Sequence, residues 1–188
     1  MEKDPNILVA YRSIYGHSRS YAEWLSEDLA AELVDLAHQP HPDLSSRRVT
    51  VFVLPIYGGG FLGAKEMAKL AGGAPSVSVV AVTVGASDPT NAANLAAYGK
   101  SAEASLPKAM LARMQWFHLR GGLDYPRMKW YHRAIMWLVT QKAKQDARKG
   151  DAEAQEMADS FGKVVDFRDR TAIAPVVEYV RTLIRDAA

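Results

Sequence analysis

Residues 7–30 read ILVAYRSIYGHSRSYAEWLSEDLA, and the change of pattern inside them decides the fold. ILVAY is a short apolar run suited to a strand buried on both faces, and YAEWLSEDLA has the apolar spacing of a helix. At the handover stand Ser13, Gly16 and Ser18. A helix amino end carries unpaired N–H groups and a partial positive charge, so a loop of small and hydroxyl-bearing residues there suits a phosphate. Gly16 lets the backbone turn tightly and come close to a ligand. Ser18 is open to two readings, a helix N-cap or a donor to a ligand oxygen.

Working outward, the same alternation continues. Strand-like runs rich in β-branched residues follow at 33–36, 49–54, 77–84 and 114–119. Helical patterns fall between them at 18–32, 62–71 and 98–113, and a last amphipathic helix is expected over 175–185 with Val176, Val177, Val180, Leu183 and Ile184 on one face. Strand and helix alternating along one chain predict an α/β fold with a parallel sheet covered on both sides by helices. Five strands fit the order 2-1-3-4-5, in which the chain reverses direction between the first and third strands, and ligands bind at the carboxyl ends of strands beside such a switch point. The stretch 38–48 reads as a surface loop, and 1–188 as a single domain.

Composition narrows the chemistry. A hydrophobic fraction of 48% with 23% charged residues is that of an ordinary globular domain. The absence of cysteine excludes disulfides, dithiol redox chemistry and iron–sulfur clusters, so any redox function needs a borrowed cofactor. No run of about 18 apolar residues is present, which predicts a cytoplasmic protein, peripheral at most to the inner face of a membrane. The net charge of +2 is uneven: residues 120–149 hold eight Lys and Arg against Asp124 and Asp146, a local charge of +6 on a body of −4. One basic segment on a mildly acidic body does not suggest nucleic acid. His17, His38, His41, His118 and His132 lack ligand spacing with nearby carboxylates, so no metal is expected.

Two further loops lie at strand ends. PIYGGGFLG, 55–63, offers Tyr57 and three glycines, which suit either a turn or a flat ligand laid against bare backbone with Tyr57 stacked on it. VGASDPTNAAN, 84–94, is small and polar and taken alone is an ordinary loop. Together with 13–18 these loops converge at one crevice.

On these residues the chain resembles the flavodoxin-like family, whose phosphate loop S/T-x-T-G-x-T/S is matched by Ser13, Gly16 and Ser18, with Tyr15 where a threonine is usual. FHLRGGLDYPRMKWYHRAIMWLV, 117–139, is similar to the corresponding stretch of the flavodoxin-domain subgroup that includes menaquinone-dependent protoporphyrinogen dehydrogenase. The resemblance implies a flavodoxin-like three-layer sandwich with FMN as cofactor. By it, the phosphate lies on Ser13, Ile14, Tyr15, Gly16, His17 and Ser18. The isoalloxazine lies between Pro55, Ile56, Tyr57, Gly58, Gly59 and Gly60 on one side and Val84, Gly85, Ala86, Ser87 and Asp88 on the other, with the Gly58 carbonyl the nearest match to one that turns toward the flavin N5. The second stacking aromatic of the family has no counterpart in 85–94. The flavin would carry the chemistry, so no catalytic acid, base or nucleophile is expected.

The resemblance implies electron transfer or a flavin-dependent oxidoreductase, with a redox partner protein or a quinone on the other side. Menaquinone-dependent protoporphyrinogen oxidation is the specific alternative. Where the family pattern is left, 126–145 is a helical basic insertion between the fifth strand and the last helix, with Trp130, Ile135, Trp137 and Leu138 amid Arg127, Lys129, Arg133, Lys142 and Lys144. Either its apolar residues pack on the domain beneath a solvated basic rim, or aromatics and cations together meet an anionic bilayer, a quinone or a porphyrin's propionates. Arg120, Gly121 and Gly122 are the candidate substrate-facing residues. A non-enzymatic membrane-surface or partner-binding module on the same scaffold is the remaining alternative.

Overall fold

The computed structural model describes residues 3–186; Met1, Glu2, Ala187 and Ala188, the ends of the expected 1–188 domain, lie outside the described residues. Strand β1 (Asp4–Tyr11) is flanked by β2 (Ala31–Asp35) and β3 (Val49–Tyr57), and the sheet continues through β5 (Ser78–Gly85) to β6 (Met114–Arg120). All four pairings are parallel, with Val9 opposite Val51 and Val51 opposite Val80, so the order along the chain is the expected 2-1-3-4-5.

Alternation of side chains divides the sheet into two apolar faces. Val9, Val51 and Val82 point to one face, where Tyr21 and Leu25 of α1 (His17–Asp28) and Val176 and Val180 of α7 (Ala174–Asp186) cover them. Leu8, Phe52 and Leu54 point to the other, under Met67 of α2 (Ala64–Gly73) and Tyr98 of α3 (Ala92–Ser105). Phe52 and Leu54 are fully buried, and each such side chain contributes about 1.5–3 kcal/mol of transfer free energy. This is the three-layer sandwich that strands apolar on both faces require.

Several boundaries differ from the sequence expectation, each for a local reason. Helix α1 stops at Asp28 rather than near residue 32, because Ala30 takes a left-handed φ of 50° and Ala31 pairs with Asp4 of β1. Strand pairing there overrides helical spacing. Helix α2 starts at Ala64 rather than 62, since Leu62 N donates to Pro55 O and Gly63 caps the helix at φ 96°. The helix expected over 98–113 begins earlier, at Ala92, because the Asn91 side chain caps it by accepting from Ala93 N. It ends at Ser105, because Leu106 is extended before Pro107, and only the short α4 (Lys108–Leu111) follows.

The three glycines of 58–60 form a hairpin. Strand β3 runs on to Tyr57 and pairs antiparallel with β4 (Gly60–Phe61), Tyr57 opposite Gly60. Gly58 and Gly59 are the two turn residues, both at positive φ (59° and 80°), as a tight two-residue hairpin demands.

Between β6 and α7 the insertion is larger than a basic helix. Helix α5 (Trp130–Ala147) starts four residues later than Pro126, which sits in a turn where Arg127 N donates to Asp124. Helix α6 (Ala152–Asp159), packed on α5, and an antiparallel pair of β7 (Gly122–Asp124) with β8 (Val164–Asp166) were not expected. A Cβ added at Gly122 would stand 2.3 Å from the Val165 carbonyl oxygen, so only glycine lets β7 pass β8. Gly122→Ala is therefore expected to lower the unfolding free energy by about 1–3 kcal/mol in urea denaturation. Gly99→Ala, on exposed α3 with open space around it, should raise it by about 0.5–1 kcal/mol.

Candidate functional site

The carboxyl ends of β1, β3 and β5 emerge side by side at the point where the sheet order reverses. The first end leads into α1 through Gly16, which caps the helix at φ 97° with no side-chain cap. Gly16 N donates to Ser13 Oγ at 3.1 Å, and Ser20 N closes the first helical bond on Gly16 O at 3.0 Å. The amides of His17, Ser18 and Arg19 precede that bond and have no partner within the helix. Ser18 is thus the second helical residue and not the N-cap. It is 2% exposed, and among the described residues its hydroxyl bonds no protein group.

A cavity of about 510 Å³ opens between these three ends. From the first loop it is lined by Ser13, Ile14, Tyr15, His17 and Ser18, from the β3 end by Pro55, Ile56, Tyr57, Gly58 and Gly59, and from the β5 end by Val84, Gly85, Ala86 and Ser87. Gly121 and Gly122 line it as well. Four of the expected residues stand outside. Gly16 borders a neighbouring polar recess of about 340 Å³, and Gly60 is the paired residue of β4. Asp88 accepts from the amide and hydroxyl of Thr90, which lowers its carboxyl pKa. Arg120 is spent on structure: its Nε donates to Ala86 O at 3.1 Å, it pairs with Glu156, and it lies 3.7 Å over the Phe167 ring.

Gly121 and Gly122 have packing reasons of their own. Gly121 N donates to Gly85 O at 2.6 Å, and Phe167 N donates to Gly121 O at 2.8 Å. A Cβ on Gly121 would meet Val84 at 2.9 Å, and one on Gly122 would meet His17 Nε2 at 2.8 Å. Both glycines let the insertion leave β6 close against the first loop.

Most of the far wall was missed by sequence reasoning, which had named only Ile135 of it among the residues offered to a quinone or substrate. Leu123, Met128, His132, Ile135, Met136, Val139 and Met157 complete the lining, all from the insertion. Apolar residues recurring through 123–139 were a signal for five of them, whereas His132 had none and Met157 lies on α6, an element the sequence did not announce. The polar feature of this wall is His132, 8% exposed. Its Nδ1 is hydrogen-bonded to the Tyr15 hydroxyl, and its ring lies 4.7 Å from that of Tyr57 and 4.3 Å from that of Tyr131. Loss of water, then Lys129, lowers the imidazole pKa, while burial raises those of the Tyr15 and Tyr57 phenols. All three groups are therefore uncharged at neutral pH.

Helix α6 fixes the third loop. Glu153 accepts from Asp88 N at 2.8 Å, Asn91 Nδ2 at 2.7 Å and Asn94 Nδ2 at 2.8 Å, which ties residues 88–94 to the insertion. Among the described residues no group of three or more His, Asp or Glu side chains is placed to hold a metal ion.

A family model for the flavodoxin domain matches residues 8–149. No curated protein matches the sequence. Among solved structures, the chain is similar to a flavoprotein in complex with FMN from Lactobacillus acidophilus NCFM, at 12% identity over 62% of this chain and 93% of that one, with a TM-score of 0.46. It is also similar to oxidised flavodoxin 2 from Bacillus cereus (15% identity, 83% and 99% covered, TM-score 0.40) and to an azoreductase from Bacillus anthracis str. Sterne (9%, 61% and 86%, TM-score 0.38).

Two histidines, His17 at the cavity and His118 on β6, set a pH dependence. Burial lowers the pKa of His17, aided by Arg168, and burial alone lowers that of His118, whose Nδ1 is 2.6 Å from Thr83 Oγ1. The unfolded chain takes up protons at these positions from about pH 6.5 downward, the folded chain only at lower pH. Stability therefore falls as pH drops through about 6.5. Urea denaturation at pH 7.5 and pH 5.5 is expected to give a lower unfolding free energy at pH 5.5, and equal values would contradict this assignment.

Proposed function

This chain belongs to the flavodoxin domain family, and on that premise we propose that it binds FMN and acts in electron transfer or flavin-dependent oxidation and reduction, with a quinone as a candidate acceptor. The observation that carries the proposal is the cavity itself, which lies between a helix amino end and a side-chain-free hairpin turn at the switch point. Its 510 Å³ falls in the range of roughly 300–1,000 Å³ usual for cofactor and small-molecule sites.

The residues present fit the group. Three amides without a partner in the helix and a Ser18 hydroxyl that bonds no protein group among the described residues suit a phosphate dianion, and the helix dipole adds to that attraction. Gly58 and Gly59 put bare backbone on the cavity wall, and Tyr57 offers a ring beside it. FMN, when bound, supplies hydride and single-electron transfer. The protein's part is to orient and to exclude water. Leu123, Met128, Ile135, Met136 and Val139 form an apolar wall, and the hydrogen-bonded pair of Tyr15 and His132 holds a proton between hydroxyl and Nδ1 without adding charge.

The same wall supports a quinone over a protein as the acceptor, because an apolar ring system would meet methionine and aliphatic side chains there. For protoporphyrinogen as the donor, the support is the likeness of 117–139 alone.

Flavin fluorescence titration tests the proposal. FMN is expected to be quenched on addition of the protein and to bind more tightly than riboflavin, which lacks the phosphate. Ser18→Ala should weaken FMN about tenfold while leaving riboflavin unchanged, as loss of a hydrogen bond to a charged group would do. Absence of quenching with excess protein would contradict FMN binding.

A further inference from the structure

Helix α5 is apolar on the side that faces away from the protein. Its buried residues His132, Thr140 and Ala143 mark the packed side. At about 100° per residue, Trp130, Tyr131, Trp137 and Leu138 fall on the opposite arc. They are exposed by 80%, 41%, 51% and 62%. Exposed tryptophans of this kind are not scattered singly, and a contiguous apolar patch marks an interaction surface.

Charge identifies what covers it. By the same helical geometry Arg133 and Lys144 lie along one flank of the arc and Lys142 along the other, all exposed. Asp146, half-buried near the carboxyl end, is the one acidic residue of α5. An apolar and aromatic band between two cationic flanks is the arrangement of a helix lying in the headgroup region of a bilayer, with tryptophan rings at the interface and lysine and arginine heads turned to anionic lipids. A second copy of the chain is a poorer occupant, because pairing α5 with α5 would set like charges face to face. Spanning is excluded for the described helices, none of which is long and apolar enough to cross a membrane.

We propose that the outward face of α5 docks the protein on an anionic phospholipid surface. The surface is continuous with the cavity: Ile135 and Val139 line it and are themselves 50% and 41% exposed. Docking therefore turns the cavity mouth toward the lipid, so that, granted the redox function proposed above, the acceptor that reaches the site is one dissolved in the bilayer. Docking itself does not depend on flavin and is tested without it.

Vesicle co-sedimentation of the FMN-free protein is the test. Binding to phosphatidylcholine vesicles containing phosphatidylglycerol is expected, and binding to pure phosphatidylcholine should be about a hundredfold weaker, as three basic side chains near an anionic surface require. Lys142→Glu with Lys144→Glu should bring the first value down to the second. Trp137→Asp with Leu138→Asp should abolish binding, with an unchanged thermal melt reporting that the fold is intact. Brominated lipid should quench tryptophan fluorescence in the native protein, and Trp130→Phe with Trp137→Phe should remove most of that quenching. Three results would overturn the proposal: no sedimentation with phosphatidylglycerol vesicles at low salt, sedimentation that survives the double Asp substitution, or a dimer in light scattering that the same substitution dissolves. Failure of FMN quenching alone would remove the redox function and leave docking standing.

Discussion

The structure depends on one constraint, the pairing of β1 with β2 on one side and β3 on the other. Because both neighbours are parallel to β1, their connections leave in opposite directions, and the space above the carboxyl end of β1 is left open. Helix α1 starts there on Gly16, with its free amides at the rim. The apolar faces of β1, β3 and β5 hold the three loops at fixed spacing. Cavity position follows from strand order, and cavity chemistry from what the loops carry.

The insertion then changes what a bare switch-point crevice would be. Gly121 and Gly122 let the chain cross β5 and the first loop at contact distance, and the β7–β8 pair anchors both ends of the excursion. Helices α5 and α6 add a methionine-rich wall, seat His132 between Tyr15 and Tyr57, and clamp the third loop through Glu153. Tyr15, which takes the place of a phosphate hydroxyl in the flavodoxin pattern, is used here to hold that wall. One substitution in the loop and one insertion in the chain are thus coupled.

The sheet order and the loops at its carboxyl ends were legible in sequence, because strands buried on both faces leave uninterrupted β-branched runs such as VTVFVL. Boundaries were less legible where a tertiary contact outweighed local preference, as when Ala31 joined β1 and ended α1 early. The three glycines at 58–60 stand out in the sequence, but the demand they meet is that of a hairpin turn, whose partner strand is two residues long and has no pattern to read. His132 was hidden in a different way, since Tyr15 and Tyr57, which it meets in the cavity, lie far from it in the sequence. Glu153 and Met157 sit on a short helix whose part in the site, clamping the third loop and closing the cavity wall, is set by tertiary contacts and not by local spacing. The apolar residues of α5 were visible, but spacing alone did not reveal that half of them face outward.

The central claim is that a mononucleotide sits over the carboxyl ends of β1, β3 and β5, with its phosphate on the amino end of α1. Backbone amide NMR with added FMN tests this most directly. The account predicts the largest shifts at residues 13–18, 57–59 and 84–87, with phosphate-dependent downfield shifts at the amides of His17, Ser18 and Arg19 that riboflavin does not reproduce. Shifts confined to other surfaces, or identical shifts with FMN and riboflavin at those three amides, would contradict it.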